Sequence, residues 1–151
     1  MSEKTKHKEM GAAQKYLSSI RECDMGIDGL TREREQLYAS ITRITQVLKD
    51  DVVKGGSGQD DRVEKWIDMA QMINDEIDNL YDLKQEAKEL LMRVKATNET
   101  YYQILNRRYI LYDTLEQISV DLHYGYRWIC KLHGRALQQF EKVMNEKREG
   151  A

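Results

Sequence analysis

Apolar residues recur at alternating spacings of three and four positions through two long stretches of this chain. This spacing is the periodicity of a coiled coil, because it keeps one apolar stripe on the same face of a helix. It predicts two helical arms, over about residues 12–49 and 60–96. The first series is Tyr16, Ile20, Cys23, Ile27, Leu30, Arg34, Leu37, Ile41, Ile44 and Leu48. The second series is Val63, Trp66, Ala70, Ile73, Ile77, Leu80, Lys84, Ala87, Leu91 and Val94.

The segment between the arms, residues 50–59, contains the run Gly55-Gly56-Ser57-Gly58. A Gly/Ser run is flexible and suits a turn, so we expect the two arms to fold back on each other as an antiparallel hairpin. The run lacks the Gly-Lys-Ser/Thr ending of a nucleotide-binding phosphate loop. Residues 1–97 therefore form the first predicted domain, a coiled-coil helical hairpin with a flexible loop.

Some positions in the arms depart from a simple two-helix pattern. The charged residues Arg34 and Lys84 interrupt the apolar series, and polar residues in such a seam can set its register at some cost in stability. The second arm also has apolar residues outside its series, and a helix of this kind usually has more than one neighbour. Packing against the rest of the chain and self-association of two copies both account for them. These residues are Met69, Met72, Tyr81, Leu83 and Leu90.

After Thr97 the seven-residue periodicity ends, and shorter helical patterns rich in aromatic residues follow over residues 98–148. Thr97 or Asn98 suits the start of a new helix, and Thr114 with Gln117 three residues later forms a capping box that starts another. The segment His123-Tyr124-Gly125 predicts a turn before a last helix that begins at Tyr126.

These short helices have the spacing of a helix-turn-helix. Ser119 provides the small residue where the two helices touch, and His123 stands at the turn position that needs a positive φ, which histidine tolerates better than most residues. The predicted fold is therefore all-α: a long antiparallel coiled-coil hairpin followed by a small three-helix helix-turn-helix domain. Its expected core residues are Ile118, Leu122, Tyr124, Ile129 and Leu132.

Composition supports long helices and limits the class of protein. The 151 residues include no proline, which would break helix interiors, and 33% of them are charged. No apolar run approaches the length of a membrane span, and the polar start of the chain does not have the pattern of a signal peptide. We therefore expect a cytoplasmic protein without membrane contact, in which the two cysteines, Cys23 and Cys130, are free thiols.

The net charge of −2 does not favour binding to nucleic acid, but the distribution of the charged residues along the chain does. Residues 122–140 contain Arg127, Lys131 and Arg135 and no acidic residue. The second helix of a helix-turn-helix normally enters the major groove of DNA, where arginine and lysine bind guanine edges or phosphates. A solvated basic face, with Trp128 in the core, is the simpler alternative. The candidate DNA-binding residues are Gly125, Tyr126, Arg127, Trp128, Lys131 and Arg135, with Arg107 and Arg108 expected to contact the DNA backbone.

The C-terminal sequence resembles a known family through three segments: Arg108-Tyr109-Ile110, then Thr114-Leu115-Glu116-Gln117-Ile118, and then residues 124–137. They are similar to the sigma-70 region 4-like helix-turn-helix of small phage and prophage proteins, the ArpU/RinA-type transcriptional regulators and their relatives of unknown function. The resemblance implies a regulator of phage or prophage late genes, with residues 126–137 as recognition helix. His123 and Gly125 stand where the family pattern has glycine and a capping serine.

The expected partners are double-stranded DNA, RNA polymerase, and further copies of the chain, which would form a homodimer or higher homo-oligomer through the coiled coil. Two other functions fit the same pattern. One is a phage DNA-packaging component resembling a small terminase subunit, although there the DNA-binding module usually comes first. The other is a coiled-coil interaction protein that does not bind DNA.

We expect neither an enzyme nor a cofactor. The three histidines are outside any metalloprotease motif, and Cys130 and His133 supply only two ligands where zinc needs three or four. The carboxylate pairs Asp50-Asp51 and Asp60-Asp61 fall in or beside the flexible loop, where we do not expect burial to prepare them for acid–base catalysis.

Overall fold

A computed structural model of the chain describes residues 10–51 and 61–150. Every regular element within these ranges is an α-helix, so the all-α prediction is confirmed. The first helix continues through Asp51, two residues into the predicted loop, and the Gly-Gly-Ser-Gly run lies outside the described residues. The helices are α1 (Ala12–Asp51), α2 (Asp61–Thr97), α3 (Glu99–Tyr109), α4 (Leu115–Leu122) and α5 (Tyr126–Glu149).

The chain divides into two compact units, which are described separately. The first unit consists of the residues up to Glu22 and those from Lys84 onward, and the second unit is Cys23–Leu83. The predicted domain boundary between residues 97 and 98 falls inside the first unit. The reason is that the first part of α1 and the last part of α2 share one core with α3 and α5.

The larger core of the first unit is built around Phe140 of α5, which is completely buried. Its ring centroid lies 5.7 Å from that of Tyr16 on α1, and the two rings are tilted by 38°. Leu17, Leu91 and Leu105 bring α1, α2 and α3 into the same cluster. Burial of each such side chain contributes about 1.5–3 kcal/mol, so this cluster is the main source of stability in the unit.

Leu90 belongs to this core and is 2% exposed. For this residue, packing on the rest of the chain explains why an apolar side chain lies outside the seven-residue series. The other four apolar residues outside that series lie in the second unit and are exposed: Met69, Met72, Tyr81 and Leu83.

A smaller core joins α3, α4 and α5. It consists of Ile104, Ile118, Ile129 and Leu132, with Ser119 buried beside it. The Ser119 hydroxyl donates a hydrogen bond of 2.6 Å to the carbonyl oxygen of Glu116, so this buried polar group is satisfied.

The prediction that Tyr124 belongs to this core is wrong, because its side chain is 43% exposed. The chain leaves α4 through a left-handed residue, and Ile104 of α3 completes the cluster instead. A pattern read from α4 and α5 alone could not anticipate an apolar residue supplied by α3.

Local signals define the ends of the short helices as predicted. The Asn98 side chain accepts a hydrogen bond from the backbone N–H of Tyr101, and the Thr114 hydroxyl accepts one from Gln117 at 3.2 Å. His123 has φ 60° and ψ 38°, which confirms the positive φ expected at the turn. Its backbone N–H is bonded to carbonyl oxygens at the end of α4, so the turn ends that helix firmly.

In the second unit, residues of α1 contact residues of α2 in opposite chain directions. A Cβ atom placed on Gly26 would lie 3.1 Å from Cδ1 of Leu80, whereas the later residue Arg34 donates a 2.9 Å hydrogen bond to the earlier residue Asn74. Asn74 in turn donates to the Tyr38 hydroxyl at 3.2 Å. The charge of Arg34, which interrupts the apolar series, therefore has a polar partner on the other helix.

Two glycines of α1 in this unit form a matched pair for a stability test. Gly29→Ala is expected to stabilise the unit by about 1 kcal/mol, because alanine favours the helix and no other helix of the described residues lies within 4 Å of the added Cβ. Gly26→Ala should gain less, because Leu80 must shift to admit the new methyl group. Thermal unfolding followed by circular dichroism would compare them. Equal stabilisation by both substitutions would contradict the close approach at Gly26.

Candidate nucleic-acid interface

The N-terminal half of α5 has one buried side and one exposed side. Ile129, Leu132 and Ala136 face the cores of the first unit. At 3.6 residues per turn, Arg127 and Lys131 lie on the opposite side, and both are exposed. Within the described residues, neither cation is paired with a carboxylate, so α5 presents an uncompensated positive charge to solvent.

Aromatic residues lie on both edges of this basic face. Tyr126 is 48% exposed and Trp128 is 41% exposed, which excludes the alternative that Trp128 is a core residue. The guanidinium carbon of Arg135 lies 5.3 Å from the centre of the Trp128 ring. This cation–π contact fixes the orientation of both side chains at the surface.

The N-terminus of α5 is capped by Gly125, which has φ −64° and ψ 146° and makes no side-chain capping bond. The first backbone N–H groups of a helix have no partner within the helix, and the helix dipole adds positive character to them. The absence of a capping side chain leaves this end of α5 suited to an external anion. Gly125 also stands at the position where the family that this sequence resembles has a capping serine.

Arg107 and Arg108 have different environments, although they are adjacent in α3. Arg107 pairs with Asp121 of α4 and, at 2.9 Å, with Asp113 in the segment before α4. Hydrogen bonds with Asp121 and then Asp113 raise the pKa of this guanidinium above its usual value. Arg107 therefore joins α3 to α4, whereas Arg108 donates to the backbone carbonyl oxygen of Asp113, at 3.3 Å.

A hydrogen bond of 2.8 Å between the Tyr109 hydroxyl and Nε2 of His133 joins α3 to α5 behind the basic face. Burial raises the pKa of Tyr109, which keeps its hydroxyl protonated. Burial lowers the pKa of His133, and the positive charge of Arg108 acts in the same direction. The pair is therefore neutral near pH 7, and its hydrogen bond fixes the angle at which α5 is held.

The lowered pKa of His133 predicts that stability depends on pH. The unfolded chain binds the proton more readily than the folded one, so protonation favours unfolding. We expect the free energy of unfolding to be at its full value above about pH 6.5 and to fall as the pH decreases below it. The substitution His133→Gln should remove this component. Urea denaturation between about pH 5 and pH 8 tests it, and identical pH profiles for the two proteins would contradict the assignment to His133.

Gly134 is a feature of this interface that the sequence analysis did not identify. It lies in the interior of α5, on the exposed side between Lys131 and Gln138, and a Cβ atom there would meet no other helix of the described residues within 4 Å. A glycine inside a helix costs about 1 kcal/mol relative to alanine, and no packing contact explains it here. The isolated glycine within a helical pattern was the signal available in the sequence.

The described residues contain no group of three or more His, Cys, Asp or Glu side chains placed to hold a metal ion. Neither Cys23 nor Cys130 forms a disulfide bond within the part of the chain that the structure describes. None of the helices described is long and apolar enough to cross a membrane.

No protein-family model matches the chain, and no match is found among curated proteins or solved structures.

Proposed function

We propose that this chain is a sequence-specific double-stranded DNA-binding regulator in which α4 and α5 act as a helix-turn-helix. The observation that carries the proposal is the exposed side of α5, where Arg127 and Lys131 have no carboxylate partner among the described residues and lie between the exposed rings of Tyr126 and Trp128. A merely solvated helix face has little reason to expose two aromatic rings within three residues.

The roles of these side chains follow from the chemistry of the major groove. Arg127 would bind a guanine edge in a bidentate manner, and Lys131 would bind a base or a phosphate. Tyr126 and Trp128 would contact thymine methyl groups or sugars. A phosphate at the α5 N-terminus, beside Gly125, would fix the register of residues 126–137 in the groove. Arg135, held against Trp128, would extend the basic surface along the helix.

We further propose that α1 and α2 form an antiparallel coiled-coil hairpin through which two copies associate. The support is the opposite direction of the contacts between α1 and α2 in the second unit, together with the exposure of Met69, Met72 and Leu83 on α2. A homodimer would present two copies of α5 to half-sites separated by about one turn of DNA, roughly 34 Å. The hairpin is also the surface we propose for contact with RNA polymerase.

The proposed biological setting is the regulation of phage or prophage late genes in the cytoplasm. It rests on the resemblance of Arg108-Tyr109-Ile110, residues 114–118 and residues 124–137 to the ArpU/RinA-type regulators. Many proteins share a helix-turn-helix and differ in what they regulate, so the target must come from the DNA itself.

The experiment that tests DNA binding is a selection of host genomic fragments by the full chain at low and moderate salt, followed by sequencing of the retained DNA. We expect enrichment of a short motif, with weaker retention at the higher salt because phosphate contacts release counterions. Retention without any enriched motif would reject sequence specificity. No retention at either salt concentration would reject the DNA-binding function.

The mass of the protein in solution tests the proposed association. We expect a dimer, and Met69→Glu with Met72→Glu should convert it to a monomer because it places charge on the exposed apolar side of α2. A ring of many copies would instead support the alternative of a DNA-packaging component. A monomer at all concentrations would reject self-association.

A further inference from the structure

The first unit contains a pocket of about 210 Å³ that the proposed recognition face does not include. Residues of α1 form one side of it, and the end of α3 with the segment that follows forms the other. The lining residues are Leu17, Ser18, Arg21, Arg108, Tyr109 and Tyr112.

Two guanidinium groups, those of Arg21 and Arg108, line this pocket. Within the described residues neither is paired with a carboxylate: Arg108 donates to the carbonyl oxygen of Asp113, and Arg21 lies 5.5 Å from the centre of the Tyr112 ring. Adjacent Arg107, by contrast, is neutralised by two carboxylates. Two like charges at one pocket repel each other, and an anion bound between them would remove that cost.

The surrounding groups favour such an anion. The half-buried Ser18 hydroxyl makes no hydrogen bond with the described residues and is available as a donor beside the two cations. Tyr112 has φ 62°, a left-handed conformation that is unusual for a bulky residue, and this conformation holds its ring beneath Arg21. Strained backbone of this kind is concentrated at binding sites. The hydroxyl of Tyr109 is already bonded to His133, so Tyr109 contributes its ring as a wall.

We propose that this pocket binds a phosphate group through the guanidinium groups of Arg21 and Arg108 and the hydroxyl of Ser18. Guanidinium groups match phosphate oxygens because each presents a planar fork of donors, which binds two oxygens at once. The phosphate can belong to the DNA backbone or to a free phosphorylated small molecule. The first possibility rests on the proposed function. In the first case α1 adds a contact to DNA outside the groove.

The experiment uses the full chain and two probes: inorganic pyrophosphate, followed by calorimetric titration, and a 20-base-pair duplex, followed by anisotropy over a range of salt. The test variant is Arg21→Gln, since Arg21 is exposed and its loss should leave folding intact. The matched control is Arg93→Gln, which removes the same charge from an exposed position of α2 in the same unit. Arg108→Gln, checked for helical content, is the second test variant.

We expect Arg21→Gln to weaken pyrophosphate binding by about tenfold or more and Arg93→Gln to leave it unchanged. If the DNA backbone supplies the phosphate, Arg21→Gln also changes the salt dependence of duplex binding. The number of counterions released on binding, which that dependence reports, falls by about one. Loss of pyrophosphate binding with unchanged duplex binding supports the pocket with a free phosphorylated molecule as its source.

Pyrophosphate binding that is absent from the unmodified chain, or that is equal in Arg21→Gln and Arg93→Gln, overturns the proposal. This failure differs from failure of the proposed DNA-binding function. If only the proposed DNA-binding function is wrong, the chain still binds pyrophosphate but retains no DNA of any sequence.

Discussion

Phe140→Ala is expected to lower the free energy of unfolding of the first unit by about 3–5 kcal/mol. The ring is completely buried and packs with side chains from α1, α2 and α3, including Tyr16 at 5.7 Å between ring centroids. Its removal therefore loses burial and leaves a cavity at the point where four helices meet, and the long helices around it have limited freedom to collapse. Urea denaturation followed by circular dichroism measures the loss.

Tyr124→Ala is the matched control for this substitution. It also removes an aromatic ring, but one that is 43% exposed, so we expect a loss below about 1 kcal/mol. The comparison also tests the assignment of Tyr124 to the surface. Similar losses in the two variants would mean either that Tyr124 is buried or that Phe140 is not the centre of the core.

The double substitution Arg127→Ala with Lys131→Ala is expected to reduce affinity for the selected DNA motif by about 100-fold or more. Each base or phosphate contact of this type contributes about 1–3 kcal/mol, and both side chains are directed away from the core. Because both are exposed, thermal stability should be unchanged. Fluorescence anisotropy with the motif and with a scrambled duplex would measure the change, which we expect to be larger for the motif.

The control is Lys142→Ala with Arg148→Ala, which removes the same charge from exposed positions nearer the C-terminus of α5. We expect this variant to bind the motif with nearly unchanged affinity. If the two double variants lose affinity equally, general positive charge rather than α5 residues 126–135 accounts for binding. If neither loses affinity, DNA is bound elsewhere on the protein.

The parts of the fold that could be predicted from sequence are those set by local interactions. The seven-residue periodicity predicts the two long helices, because burial of one helix face depends only on spacing along that helix. Thr114 and His123 predict the start and end of α4 because their signals act within three or four residues of the chain. The spacing of Ile129 and Leu132 likewise predicts which side of α5 is exposed.

The parts that could not be predicted depend on contacts between distant residues. The spacing in α4 and α5 predicts Tyr124 in the core, whereas the structure leaves Tyr124 exposed and includes Ile104 of α3 in that core. Similarly, Arg107 was expected to face DNA, and its two carboxylate partners are Asp113 and Asp121. Arg21 and Arg108 are far apart in sequence, so no local pattern could bring them to one pocket.

The core around Phe140 also determines when the protein can fold during its synthesis. Leu17 near the start of the chain, Leu91 in the middle and Phe140 near the end are all members of that core. A ribosome therefore releases the apolar faces of α1 and α2 well before the residue that covers them has been made. Until Phe140 has left the ribosome, the nascent chain carries an uncovered apolar surface, and a premature stop codon before residue 140 leaves that surface permanently open to chaperones and proteases.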